Sequence, residues 1–86
     1  MPEISRFYGI VIAMFYDDHN PPHFHIQYGE YNAVIRINDF ALLEGNLPPK
    51  AIGLVNEWAA IHKEELVENW ELARNDKPVK KIAPLV

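Results

Sequence analysis

The chain contains no cysteine among its 86 residues. Disulfide bonds and thiolate ligands are therefore excluded, and any metal ion would have to be bound by histidine, aspartate or glutamate. No apolar run approaches the roughly 20 residues that a membrane-spanning helix needs. The first residues, MPEISRFYG, lack the basic start and the apolar run of a secretory leader. We therefore expect a cytoplasmic protein that does not associate with membranes.

Basic residues are also few. The chain has 8 Lys and Arg against 12 Asp and Glu, which gives a formal net charge of −4. Such a field repels nucleic acid unless a local basic patch opposes it, and the only basic cluster is Lys77, Lys80 and Lys81. A DNA-binding transcriptional regulator stays as an alternative, although neither a helix-turn-helix signal nor a basic recognition face is visible.

Apolar residues make up 49% of the chain, which excludes disorder. No repeat, linker or shift of composition divides it, so we predict a single domain over residues 1–86. Alternating or β-branched patterns predict strands, and turn signals follow at DDHNPP, Gly-Glu and Asn-Asp. The predicted strands are residues 7–16, 23–28, 31–37 and 40–44. The expected sheet is an antiparallel meander of three to four strands.

A long helix is predicted after the prolines at positions 48 and 49. Apolar residues recur there at steps of three and four, so one helical face should pack on one face of the sheet. A continuous helix over residues 49–75 would span about 40 Å, so we expect either a break near His62–Lys63 or an overhanging end. Gly53 lies inside this predicted helix, where glycine is unfavourable, so we expect a close backbone contact at that position. Residues 79–86 are predicted as a closing strand or a packed tail, which completes an α+β fold.

The stretch DDHNPPHFH is the main candidate for chemistry. Because side chains alternate along a strand, His23 and His25 should share the face away from the apolar side, with Cβ atoms about 6.5–7 Å apart. Two imidazoles at this spacing can converge on one zinc-like divalent ion. His19 on the preceding turn, with Asp17 or Asp18, could complete an open three-ligand site. The predicted metal ligands are His19, His23, His25 and Asp18.

Other interpretations of this stretch stay open. The histidines could simply decorate the outer face of a strand after a rigid turn, or form a partner surface. They could also act without metal, with His23 and His25 as general acid and base and Arg36 placed across the hairpin to bind a phosphate. Either chemical interpretation would make the protein a hydrolase, such as a ribonuclease-like toxin. Whether it is an enzyme is left open.

Acidic residues form a stripe along the predicted helix. Four glutamates lie seven, four and three residues apart: Glu57, Glu64, Glu68 and Glu71. Such a stripe is typical of a solvated helix face, and the alternative is a docking surface for a basic partner. Homo-oligomer formation is also left open by the sequence.

Several segments together resemble a known family. They are ISRFYGIVIAMFYDDHNPPHFH, YGEYNAVIRI, LLEGNLPPKAIGLVNEWAAIHKEELVENW and KKIAPLV. They are similar to the small bacterial proteins called "domain of unknown function 4160", and DHNPPHFH is the most specific element. Members are often encoded beside a second small protein, numbered 2442 in the same series. The resemblance therefore implies one component of a toxin–antitoxin-like pair that acts by binding a small cognate protein.

Overall fold

A computed structural model describes residues 2–16 and 18–86 of the chain. Within them the chain forms an antiparallel sheet whose strand order follows the sequence, and then two helices. The elements are β1 (Glu3–Phe7), β2 (Ile10–Ala13), β3 (His23–Tyr28), β4 (Tyr31–Arg36), β5 (Leu42–Gly45), α1 (Pro49–Ile61) and α2 (Lys63–Arg74). The α+β class and the antiparallel meander are confirmed. The sheet of the described residues has five strands, so the prediction of three to four was wrong.

The unpredicted strand is β1, because residues 7–16 were interpreted as one continuous strand. The chain instead reverses at Tyr8 and Gly9, which separate β1 from β2. Both residues have positive φ, +48° and +80°. This backbone is that of a two-residue hairpin turn, which Asn-Gly usually marks in a sequence. A tyrosine at the first position gives no such signal.

The predicted helix is divided at the expected place. α1 ends at Ile61 and α2 begins at Lys63, with His62 between them. One continuous helix over both segments would measure about 39 Å, whereas the longest extent of the molecule is 33 Å. An unbroken helix would therefore protrude from the rest of the molecule. The prediction of a helix with a break near His62–Lys63 is confirmed, and that of one continuous helix was wrong.

α1 covers one face of the sheet, as the apolar stripe predicted, and α2 contributes side chains to the same core. The indole of Trp58 lies 5.4 Å from the ring of Phe7 and 6.2 Å from that of Phe24, between ring centroids. Trp58 is fully buried, and burying a large apolar side chain stabilises a fold by about 1.5–3 kcal/mol. Gly53, however, is exposed, and a Cβ there would meet nothing within 4 Å. The close contact expected at Gly53 was wrong.

The C-terminal residues form a packed tail, which was one of the two predicted outcomes. The backbone N–H of Ile82 donates to the carbonyl of Ile4 at 2.7 Å, so the tail covers the outer edge of β1. The Trp58 Nε1–H donates to the carbonyl of Ala83 at 2.8 Å. No helix in the described part of the chain is both long enough and apolar enough to cross a bilayer.

Candidate metal centre

His23 and His25 stand at the start of β3, on the sheet face opposite Phe24, where His25 is partly exposed and His23, expected on an open face, is buried. Strand alternation explains this position, because Phe24 between them is fully buried under the helices. The register pairs His25 with Ala13 of β2 and with Val34 of β4. The segment between β2 and β3 then brings Asp18 back over the start of β3. Residues from the loop and the strand therefore form one cluster.

One oxygen atom holds this cluster together. Asp18 Oδ2 lies 2.7 Å from His23 Nε2 and 3.0 Å from His25 Nε2. One ligand atom from each of the three residues lies within 4.8 Å of the others. The two imidazole rings are 5.1 Å apart between centroids and nearly perpendicular. The predicted convergence of the two histidines is therefore present, and Asp18 is the carboxylate that joins them.

The backbone fixes which nitrogen of His23 faces the carboxylate. His23 Nδ1 lies 2.7 Å from the carbonyl oxygen of Pro21. A carbonyl only accepts hydrogen bonds, so Nδ1 carries a proton and donates it. In a neutral imidazole the lone pair is then on Nε2, the atom that faces Asp18. A lone pair 2.7 Å from an ionised carboxylate is repelled, so this contact needs either a second proton on the ring, which Nε2 then donates to Asp18, or a metal ion between the two groups.

Asp18 is held in its ionised form. Partial burial raises the pKa of its carboxyl group, but hydrogen bonds from His25, from His23 and from the His19 backbone N–H outweigh that effect. The pKa of Asp18 therefore lies below its ordinary value. The carboxylate is negative at neutral pH, which favours a positive charge at the position between the two Nε2 atoms.

Aromatic residues enclose the two imidazoles. The ring of Phe15 stands edge-on against His25, with centroids 4.2 Å apart. Trp70 of α2 packs against His23 at 5.1 Å, and its buried Nε1–H has no hydrogen-bond partner among the described residues. The side chain of His23 is 5% exposed, whereas those of Asp18 and His25 are 16% and 25% exposed. Water can therefore reach the cluster from the side of Asp18 and His25.

The donor set fits a borderline divalent ion. Two imidazole nitrogens and one carboxylate oxygen suit Zn²⁺, and also the other first-row divalent ions. Bond lengths of about 2.0–2.2 Å in a tetrahedral arrangement place ligand atoms roughly 3.3 Å apart. The closest pair, Asp18 Oδ2 and His23 Nε2, would need to separate by about half an ångström to reach that spacing. The Nδ1–H bond from His23 to Pro21 is the outer contact that orients metal-binding histidines.

His19 and Arg36, the other candidate site residues, have different surroundings. The side chain of His19 is 88% exposed, and its Nδ1 lies 3.3 Å from Asp18 Oδ1, the oxygen that the other histidines do not use. Arg36 is the cross-strand neighbour of His23, as predicted, but its guanidinium makes two hydrogen bonds of 2.8 Å to Asp39. A phosphate would have to compete with that carboxylate. Asp17, the alternative oxygen ligand, lies outside the described residues.

Two residues that surround the cluster were not predicted as part of it. Phe15 belongs to the predicted strand over residues 7–16, and the alternation of residues 11, 13 and 15 with the buried positions could have placed it beside His25. Trp70, on the apolar face of the predicted helix, was expected to pack on the sheet. Its contact with His23 depends on the angle between α2 and the sheet, for which the sequence carries no signal.

Comparison with known proteins gives one match. No curated protein and no solved structure matches this chain. The family model described as "Domain of unknown function (DUF4160)" matches residues 9–71, which include β2, β3 and the whole histidine cluster. This match covers more than half of the chain and agrees with the resemblance seen in its motifs. The chain therefore belongs to the DUF4160 family.

Proposed function

We propose that this protein binds a divalent transition-metal ion, zinc or a zinc-like ion, through Asp18 Oδ2, His23 Nε2 and His25 Nε2. The observation that carries the proposal is the pair of imidazole nitrogens directed at one ionised carboxylate oxygen. For His23, the Pro21 carbonyl already fixes the tautomer that a metal ion requires.

The chemistry of such a site follows from its ligand count. Three protein ligands leave a position for water or substrate, which is the arrangement of catalytic rather than structural zinc sites. A divalent ion lowers the pKa of bound water and polarises carbonyl or phosphoryl oxygens. The partial exposure of Asp18 and His25 provides access for a small ligand. A metal-dependent hydrolase is the enzyme class that this arrangement fits.

Metal binding can be tested directly on the purified, chelator-treated protein. Isothermal titration with Zn²⁺ should give one site per chain, and Co²⁺ should produce visible absorption bands of a nitrogen and oxygen site. His25→Ala removes a direct ligand and Asp18→Asn removes the negative charge of one, so each should weaken binding by about 100-fold, the upper end of the range for loss of an outer-shell partner. His62→Ala is the matched control, since His62 pairs with Glu65 at the helix junction. Absence of stoichiometric binding at micromolar zinc, or equal loss in the control, would refute the proposal.

A second candidate function is protein–protein interaction, and the uncovered edge of the sheet favours it. The tail covers the edge of β1, whereas β5 is exposed at every residue and presents Leu42 and Leu43, 45% and 37% exposed. Uncovered edge strands with apolar side chains are ready sites for strand addition. More specifically, the protein would bind a small cognate protein and form one half of a toxin–antitoxin-like pair.

The interaction candidate has its own test. The protein should be co-expressed with the product of the neighbouring gene and analysed by size-exclusion chromatography. Co-elution at micromolar concentration that Leu43→Lys abolishes would support pairing through β5. Val67→Lys is the control, because Val67 is comparably exposed, at 46%, but lies on α2. Independent elution of the two wild-type proteins would exclude this candidate.

A further inference from the structure

The sheet face opposite the helices is a groove of about 280 Å³. Its residues form two rows across the strands, as the register shows. The first row is Val11, Gln27 and Asn32, and the second row is Ala13, His25, Val34 and Glu44. Phe15 closes the end of the groove beside the metal centre. We call this surface the open-face groove.

The charges around the open-face groove are unbalanced. Arg6, which lies opposite Val11 on β1, is held by Glu3 at 2.7 Å. Arg36, next to His23, is held by Asp39 at 2.8 Å. Glu44 forms no ion pair within the part of the chain that the structure describes. Its carboxylate is therefore the uncompensated charge of the groove.

Two carboxamides lie beside each other in the same groove. Gln27 and Asn32 are direct cross-strand partners. Neither carboxamide takes part in a side-chain hydrogen bond between residues in the described ranges. Each offers a donor and an acceptor, which is the complement of a peptide amide. The remaining floor, from Val11, Ala13 and Val34, is apolar and suits an aliphatic stem.

We propose that the open-face groove binds a short basic peptide segment, with a lysine-type ammonium group on Glu44 and its backbone amides on Gln27 and Asn32. Distances support this assignment. Strands about 4.8 Å apart and a two-residue rise of about 6.7 Å place the Cα atoms of Asn32 and Glu44 roughly 8 Å apart. An extended lysine side chain covers about 6 Å from Cα to Nζ. A peptide amide over Asn32 thus brings its ammonium to Glu44.

This site shares His25 with the metal centre but does not need a metal ion. The experiment therefore uses the whole protein in the presence of chelator, so that its result is independent of metal binding. The probe is N-acetyl-lysine N′-methylamide, followed by amide chemical shifts in ¹H–¹⁵N spectra. We expect saturable shifts at Val11, Gln27, Asn32, Val34 and Glu44. Shifts that do not saturate, or that lie elsewhere, overturn the proposal.

Two further probes separate the contribution of the ammonium charge from that of the peptide amides. N-acetyl-glutamate N′-methylamide has the same amides with the opposite charge and should cause no saturable shift. Butylammonium has the charge without the amides and should bind at least about tenfold more weakly, since it leaves both carboxamides unused. Equal binding of the acidic probe overturns the role of Glu44. Equal binding of butylammonium overturns the assignment to a peptide.

Variants locate the groups involved. Glu44→Gln should weaken binding of the lysine probe by about three- to fivefold, the size expected for an exposed ion pair. Glu64→Gln makes the same charge change on the exposed first turn of α2 and should leave binding unchanged. Gln27→Val keeps a good strand residue, removes one carboxamide and should also weaken binding. Unaltered binding in both groove variants contradicts the proposal.

Discussion

At the scale of single residues, one carboxylate oxygen and one backbone carbonyl define the candidate metal centre. Asp18 Oδ2 faces both imidazoles, and the Pro21 carbonyl orients one of them. His19 is close in sequence and was predicted as a ligand on that basis, yet it contacts the other carboxylate oxygen. Proximity along the chain therefore does not by itself rank the candidate ligands.

The different positions of His19 and His25 give a prediction. His19→Ala should change zinc affinity by less than about threefold, because its solvent-exposed ring is not among the converging ligand atoms. His25→Ala should lower it by about 100-fold. Isothermal titration of both variants measures the difference. Equal losses would show that the turn rearranges to bring His19 to the ion.

A second residue-scale prediction concerns Arg36 and Asp39. The hydrogen bond from the Arg36 guanidinium, with that from the Ala41 backbone N–H, lowers the pKa of Asp39 to about 2. A pKa lowered in the folded state means that the pair contributes stability above the unfolded-state pKa and loses it as pH falls through about 2. Arg36→Gln should move the Asp39 midpoint up toward its ordinary value, as carboxyl ¹³C NMR titration can measure. An unchanged midpoint would mean that Arg36 is not the cause.

At the scale of elements, the sequence predicted what depends on local periodicity. The alternation of β3 and β4 and the break at His62 followed from side-chain spacing and helix length. The β1–β2 hairpin did not, because Tyr8 adopts positive φ without a turn signature. In the candidate site, too, only the residues positioned by local periodicity could be predicted. His23 and His25 were placed by strand period, whereas the approach of Asp18 depends on loop conformation and that of Trp70 on helix packing.

Two glycines give opposite element-scale predictions. Gly45 has φ +81°, and a Cβ there would meet the backbone oxygen of Asn32 at 2.0 Å. Gly45→Ala should therefore disrupt the pairing of β5 with β4 and cost more than about 2 kcal/mol. Gly53→Ala meets nothing within 4 Å and should stabilise α1 by about 1 kcal/mol. Urea denaturation of both variants tests this, and a destabilised Gly53→Ala would show a contact at that position.

At the scale of the whole molecule, the two faces of the sheet have different roles. One face carries the core with both helices, and the tail covers the β1 edge. The other face holds the open-face groove, and at its end lies the candidate metal centre, where His23 is buried against Trp70 of α2. This candidate site therefore contacts the loop, the sheet and the second helix, so an ion bound there should be coupled to the stability of the fold.

This coupling gives the final prediction. An ion that binds the folded chain alone stabilises it by RT ln(1 + [L]/Kd), about 2.7 kcal/mol at one hundred times Kd. In a domain of this size, each kcal/mol raises Tm by about 4–8 °C, so saturating zinc should raise Tm by roughly 10–20 °C. Magnesium should not, because it prefers oxygen ligands. In His25→Ala, whose affinity should be about 100-fold lower, the same zinc concentration stabilises the fold by only RT ln 2, about 0.4 kcal/mol, so the rise of Tm should fall to roughly 2–3 °C. An equal rise of Tm in that variant, measured by scanning calorimetry, would place the stabilising ion elsewhere on the protein.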